Sequence, residues 1–390
     1  MFNPDCLVIL WQIFIMIRQS ITTVLCILVV NLCTAQTATQ YYDEGIKLQD
    51  QDKNAEAIAS FKKAILKDPN YKEAFYSAGW NSNELKKYSD ALTYLQKAKT
   101  LWPNEAKVYL ELGYALENLD KKTEAIDNYN KCLSIDNGYS LAYKYLGILY
   151  YDDYNYKNAL KNINSYIELK PDTKDDDIYY RKGVSENELE QYNDALVSIK
   201  KANDLKPNNV KFLNELGYTY YMLKNTDDAL RNYNKAVSLD PKSTTALNGI
   251  ADVSRKLKKE TEEAIKLYRK TLEINPKNTK ANYWIGWCYN ELEKPTEAIP
   301  YLKKVIAEDD KYTAAYTELG YCDYSLKNYD EALINFKKAM AIEKTELGLY
   351  YTGLCYVEKK QKSEAVKMMN ELKIMDSEYA EKLKKLIDKL

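Results

Sequence analysis

The chain has 390 residues, 46% of them hydrophobic and 29% charged, with a formal net charge of −1. That length allows two or three domains or one long repeat array, and the balance of charge leaves no basic face for nucleic acid. Histidine is absent, which removes the commonest general base, the commonest metal ligand and every catalytic pairing built on imidazole.

Residues 1–35 stand apart from the rest. Ile21 to Leu32 is an apolar run of about a dozen residues, which suits a signal-peptide core and is short for a membrane span. Arg18 supplies a positive charge before it, and Cys33-Thr34-Ala35 offers small residues for cleavage ahead of Gln36. Upstream, Leu7 to Ile17 is also apolar and Asp5 is a poor beginning for a signal. Met16-Ile17-Arg18 is a better one, so the expectation is a signal peptide whose true start is Met16. The alternative is an uncleaved anchor in which Arg18 interrupts two apolar runs. Contact with a membrane is expected only in that case.

Beyond the leader, glycine recurs at 45, 79, 113, 147, 183, 217, 286, 320 and 353, mostly at steps of 34 residues. One further unit lies in the long gap, with Ala251 in the glycine's place. Each glycine sits in an apolar segment of helical period, where it costs ~1 kcal/mol relative to alanine. Paying that cost repeatedly implies a close helix–helix approach. Twelve or thirteen residues after each of these positions stands an alanine: Ala57, Ala91, Ala125, Ala159, Ala195, Ala229, Ala264, Ala298, Ala332 and Ala365. Nine of the ten follow an acid, which suits the first turn of a second helix. Pro69, Pro103, Pro171, Pro207, Pro241 and Pro276 close six units, because proline cannot continue a helix interior.

The pattern aromatic-x2-Leu-Gly-x2-Tyr, then Ala-x3-aromatic, then Pro resembles the tetratricopeptide repeat. Tyr143, Leu146, Gly147, Tyr150, Ala159 and Pro171 carry it, as do Leu213, Leu216, Gly217, Tyr220, Ala229, Tyr233 and Pro241. The resemblance implies an all-α fold, a right-handed α-solenoid superhelix of ten helix–turn–helix repeats over residues 38–377. Residues 378–390 read as an amphipathic, Lys-rich capping helix.

Three departures stand out. The fourth repeat has Tyr166 where a small residue is usual. Its join to the fifth carries two extra residues and the acids Asp175, Asp176 and Asp177, read as a solvated helix start, with a calcium site as the weaker alternative. The seventh repeat lacks the glycine and has one extra residue between its helices, where Arg255, Lys256, Lys258 and Lys259 cluster. That cluster is either an exposed turn or a basic anchor for a partner's carboxylate. Pro300 reads as a local adjustment in the first turn of a helix.

Cys288, Cys322 and Cys355 occupy one slot of three successive repeats. Stacked helices would hold them ~8–10 Å apart, too far for a disulfide, so they are expected to be free and buried, and Cys132 likewise. No zinc-type spacing exists. No metal and no cofactor is expected.

The resemblance also implies which slots line the inner face: −6, −3, +1, +4 and +5, counted from the glycine. Helical spacing puts these on one side. They hold the aromatics Tyr76, Trp80, Tyr114, Tyr180, Tyr218, Tyr221, Tyr283, Trp287 and Tyr321. The polar residues Asn83, Asn187, Asn214, Asn290 and Arg255 are interleaved with Glu84, Glu188 and Glu291. Such a face suits an extended peptide, with rings for contact area and amides for its backbone. Each aromatic has a second reading, as a filler between neighbouring helices. The Lys/Asn pair with which family members hold a C-terminal carboxylate at −3 and +1 is absent, since Lys144 faces Ile148.

The sequence therefore points to an exported scaffold, in a periplasm, cell envelope or secreted medium, that binds a polypeptide along its inner face. A glycan-binding module and a membrane-anchored assembly factor are the alternatives. An enzyme is not expected, because the repeats occupy nearly the whole chain and no nucleophile–base pair or phosphate loop stands out.

Overall fold

The computed structural model describes residues 16–18 and 36–390. The leader segments 1–15 and 19–35, on which the signal peptide and its cleavage site fall, lie outside the described residues. The chain divides into two compact units, the first ending at Thr173 and the second running from Lys174 to Leu390. The division falls at the irregular join between repeats four and five.

The first unit holds α1 (Ala38–Gln49), α2 (Asn54–Lys67), α3 (Lys72–Glu84), α4 (Tyr88–Leu101), α5 (Ala106–Asn118), α6 (Lys122–Ile135), α7 (Ser140–Asp152) and α8 (Tyr156–Leu169). The second holds α9 (Asp176–Glu188), α10 (Tyr192–Leu205), α11 (Val210–Met222), α12 (Thr226–Leu239), α13 (Thr244–Asp252), α14 (Thr261–Ile274) and α15 (Thr279–Glu291). It continues with α16 (Pro295–Glu308), α17 (Thr313–Ser325), α18 (Tyr329–Ile342), α19 (Glu346–Glu358), α20 (Lys362–Ile374) and α21 (Tyr379–Ile387). The first twenty pair off as ten helical hairpins, which pack on their chain neighbours within each unit, and α21 covers the end of the second unit against α19 and α20. Each unit is an all-α solenoid.

The repeated glycine is where the two helices of a hairpin meet. A Cβ on Gly113 would lie 2.5 Å from the Tyr129 ring, one on Gly217 2.6 Å from Tyr233, and one on Gly320 2.6 Å from Phe336. Gly79, Gly183 and Gly286 stand in the same way against Leu95, Ile199 and Leu302. In these repeats the facing residue is the sixteenth after the glycine. In the last repeat the neighbour is different, since a Cβ on Gly353 would meet Leu383 of α21 at 2.4 Å. All ten alanines of the second helices are fully buried, as a close approach requires. The six prolines stand in the turns that join repeats.

Each first helix ends on a residue in the left-handed region, from Asp52 (φ 57°) to Lys360 (φ 55°), and none of them is glycine. In the second repeat Lys86 N–H donates to the Asn83 carbonyl and Lys87 N–H to that of Ser82, each at 2.8 Å. This pair of bonds satisfies the carbonyls that the helix end leaves open.

The departures resolve locally. Asp175 caps α9 by accepting from the Ile178 N–H at 3.2 Å, and Asp177 pairs with Arg181 at 2.6 Å. Tyr166 is buried, and its hydroxyl lies 3.2 Å from that of Thr173. The extra residue of repeat seven is not in the turn. It is absorbed in a π-helical segment, Val253–Leu257, that continues α13. Pro300 is the sixth residue of α16, inside the helix and beyond its first turn, and the helix runs on to Glu308. Cys132, Cys288, Cys322 and Cys355 are free and buried, and burial pushes all four thiols up to about 12, which leaves them unreactive.

Gly113→Ala tests the close approach. Helix propensity alone favours alanine by ~1 kcal/mol. Overpacking a core costs about 1–3 kcal/mol, and Tyr129 cannot retreat because its hydroxyl donates to Glu117 at 2.7 Å. The expected result is a lower urea midpoint. A raised midpoint would show that the packing gives way.

Candidate functional site

In the second unit, side chains from the first helices of repeats five to eight surround a groove of about 720 Å³. Asn214, Glu215, Tyr218 and Tyr221 enter it from α11, with Glu188 from α9. Tyr283, Trp284, Trp287 and Lys280 enter from α15. Between them lie Thr245, Gly249 and Asp252 of α13, followed by Arg255 and Lys256. Gly249 leaves room for the ring of Tyr233, which would lie 2.3 Å from an added Cβ.

The π segment sets the chemistry of one wall. It brings Arg255 over the face of Trp284, with the guanidinium carbon 3.6 Å from the ring centre and 5.3 Å from that of Trp287. The two indoles meet edge to face at 5.8 Å. Arg255 also reaches Asp252 at 3.7 Å, and Lys280 pairs with the other oxygen of Asp252 at 2.6 Å. The buried Tyr268 hydroxyl donates to Asp252. Arg255 is therefore committed to an ion pair and a stacked ring. The freer cation of the wall is the exposed Lys256, 5.7 Å from the Tyr221 ring centre.

Of the residues that the sequence placed on a binding face, the groove gathers Asn214, Tyr218, Tyr221, Arg255, Tyr283 and Trp287. The +4 asparagines are elsewhere. Asn83, Asn187 and Asn290 are buried, and each amide reaches into the next repeat. Asn83 donates to the Glu111 carboxylate at 2.8 Å, Asn187 to Glu215 at 2.7 Å and Asn290 to Glu318 at 2.7 Å. They tie repeats together and are not open to a peptide backbone. The −3 tyrosines also lean on the following repeat. Tyr180 is buried and stacks on Phe212 at 5.2 Å, Tyr283 packs on Tyr312 at 5.2 Å, and Lys107 lies 4.8 Å over Tyr76. Tyr114 rests between Tyr88 and Tyr145, and Tyr321 meets Tyr351 edge to face at 5.5 Å. Trp80 is half-buried on α3 of the first unit.

The slot that sequence reasoning passed over is −2, which holds Glu111, Glu215, Gly249, Trp284 and Glu318. The signal for it was present. A +4 amide in one repeat is matched by a −2 acid 28 residues later, at three places in the chain. Burial raises Glu111 to about 7, with the Asn83 amide opposing and the charge of Glu84 adding to the rise. Glu215 and Glu318 are raised for the same reasons.

Stacked hairpins with aromatic and polar side chains along their first helices make a helical-repeat interaction scaffold. Tetratricopeptide repeat families match residues 42–106, 106–139, 176–209, 210–243 and 348–373. The chain belongs to the tetratricopeptide repeat proteins. Residues 257–339 are similar to the family described as anaphase-promoting complex, cyclosome, subunit 3. No curated protein matches. Among solved structures the chain is similar to pilF of Pseudomonas aeruginosa, at 17% identity and TM-score 0.49, over 54% of this chain and 96% of that one. It is similar to PilW, titled a type IV pilus biogenesis factor, at 20% identity and TM-score 0.49, over 53% and 97%. A third is the C-terminal part of a repeat protein from Cytophaga hutchinsonii, at 20% identity and TM-score 0.47, over 63% and 99%.

The Glu111 carboxyl makes a pH prediction. It is faced by Glu84 from α3, and by Tyr76, Tyr129 and Tyr145. The folded chain holds this proton up to about pH 7, against an ordinary 4.5. The stability it supports is full below 4.5 and is lost as the pH rises through about 7. Glu111→Gln keeps the acceptor for Asn83 but never ionises. Its thermal midpoint should match the parent at pH 4 and exceed it at pH 8, by an effect on the order of 1 kcal/mol. Equal midpoints at both pH values would contradict this assignment.

Proposed function

We propose that this chain is an exported scaffold that binds an extended polypeptide along its first-helix face, with the groove of repeats five to eight as the principal site. It carries out no catalysis of its own. The observation that supports this most is the groove itself. Four successive first helices contribute to it, and its lining alternates rings with carboxylates and amines. Tyr218 and Tyr221 offer contact area at small entropy cost, and Trp287 presents a rim against which an apolar side chain can rest. Glu188 and Lys256 stand exposed at its edge, so the orientation of a bound segment is set by charge as well as by shape.

Export rests on the leader composition. Its apolar run, its preceding Arg18 and the small residues before Gln36 make a signal peptide. Among the described residues no helix is long and apolar enough to cross a membrane. N-terminal sequencing of the exported protein should begin at Gln36, and a product that retains Met1 would count against both the cleavage and the Met16 start.

A photo-crosslinking amino acid at Tyr218 or Tyr221 should capture a polypeptide from an extract of the source cells. The same reagent at Val197, exposed on α10, should not. Trp287→Ala should lower the capture several-fold with unchanged helicity. Equal capture from Val197, or capture indifferent to Trp287→Ala, would overturn the reading.

A further inference from the structure

Repeats two to ten fall into three blocks of three. At the slot four to six residues after the repeat glycine, Asn-Glu-Leu occurs at 83–85, 187–189 and 290–292, in repeats two, five and eight. Glu-Leu-Gly-Tyr occurs at 111–114, 215–218 and 318–321, in the repeats that follow them. The steps are 104 and 103 residues. A 34-residue repeat needs no such higher period to fold, because each hairpin packs only on its neighbours. The geometry repeats with the letters. In every block the asparagine amide holds the glutamate of the next repeat at 2.7–2.8 Å. A ring from the second helix lies under the same glycine: Tyr129, Tyr233 and Phe336.

We infer that each block presents the same site, and that the three sites take lysine or arginine side chains from one polypeptide partner. The inference rests on the scaffold reading above and gives its partner a chemistry. A site consists of an exposed glutamate, a sunken glutamate and a tyrosine. In the first block these are Glu84, Glu111 and Tyr114, in the second Glu188, Glu215 and Tyr218, and in the third Glu291, Glu318 and Tyr321. The first lies wholly in the first unit and the other two in the second unit.

The recurrence carries the argument, and the second block shows the site open. Glu188, Glu215 and Tyr218 all line the 720 Å³ groove. The sunken glutamate has one amide donor and an acid beside it, so it is electrostatically unfinished. Glu84, Glu188 and Glu291 each add to the rise of their partner's carboxyl. Lys211 opposes that rise at Glu215, but it lies 4.1 Å over the Tyr180 ring. An incoming ammonium or guanidinium satisfies both carboxylates and rests against the tyrosine face. The asparagine holds the sunken carboxylate in place, which makes it a positioning residue.

The test uses the full chain and a labelled twelve-residue peptide of alternating lysine and tyrosine, with its lysine-acetylated counterpart as control. Calorimetric titration should give three peptides per chain. Acetylation should weaken binding about ten-fold or more, as the loss of a charge-assisted bond does. Each of the pairs E84Q/E111Q, E188Q/E215Q and E291Q/E318Q should remove one peptide, with helicity unchanged by circular dichroism. A peptide number indifferent to all three pairs, equal binding of the acetylated peptide, or no binding of the lysine peptide at millimolar concentration would overturn the inference. If both peptides bind and only Trp287→Ala releases them, the scaffold reading stands and the cation sites fall.

Discussion

Everything in this chain depends on one steric contact, the absence of a Cβ on the first helix beneath a large side chain of the second. Gly113 under Tyr129 and Gly286 under Leu302 are two instances of it. The contact brings the helices of a hairpin together, and the buried alanine at the start of the second helix completes the approach. Where alanine replaces the glycine, in repeat seven, Ala251 shares a buried cluster with Tyr268, which stands one residue later in the count. There the first helix widens into a π turn. That widening turns Arg255 onto Trp284 and shapes one wall of the groove. A small change in packing has thus become a local change in chemistry, as π segments at functional sites often do.

The second level of organisation is the tie between repeats. Asparagine and glutamate meet across three repeat junctions with the same geometry. Other junctions use different pairs at the same slots, such as Arg255 on Trp284 and Tyr324 near Tyr351. These contacts join successive hairpins, and they also control what the first-helix face shows. A tie that buries an acid leaves a carboxyl short of partners. A tie made of rings leaves an apolar wall. Stability and recognition are written in the same slots, because a solenoid has only one layer of neighbours.

Much of this was legible in the order of residues. The glycine period, the alanine twelve residues on and the proline at the joins each follow from a requirement that no larger or more flexible residue meets. The buried cysteines were legible too, since equal slots on stacked helices lie too far apart to bond. The face residues were legible only in part. Tyr218, Tyr221 and Trp287 do line the groove, whereas Asn83, Asn187 and Asn290 turn into the next repeat. Helical spacing gives the direction of a side chain around its own axis. It does not say whether solvent or another helix stands there.

Local sequence thus settled where helices begin and end, which residues must be small and how many hairpins there are. These outcomes depend on contacts within a hairpin, between residues at fixed separations. The tertiary structure decided which slots open to a groove and which are consumed between repeats. It also decided that the extra residue of repeat seven enters the helix rather than the turn, and that Arg255 is stacked and paired rather than free. Those outcomes depend on what the adjoining repeat places opposite each side chain, and a one-dimensional period carries no information about that neighbour.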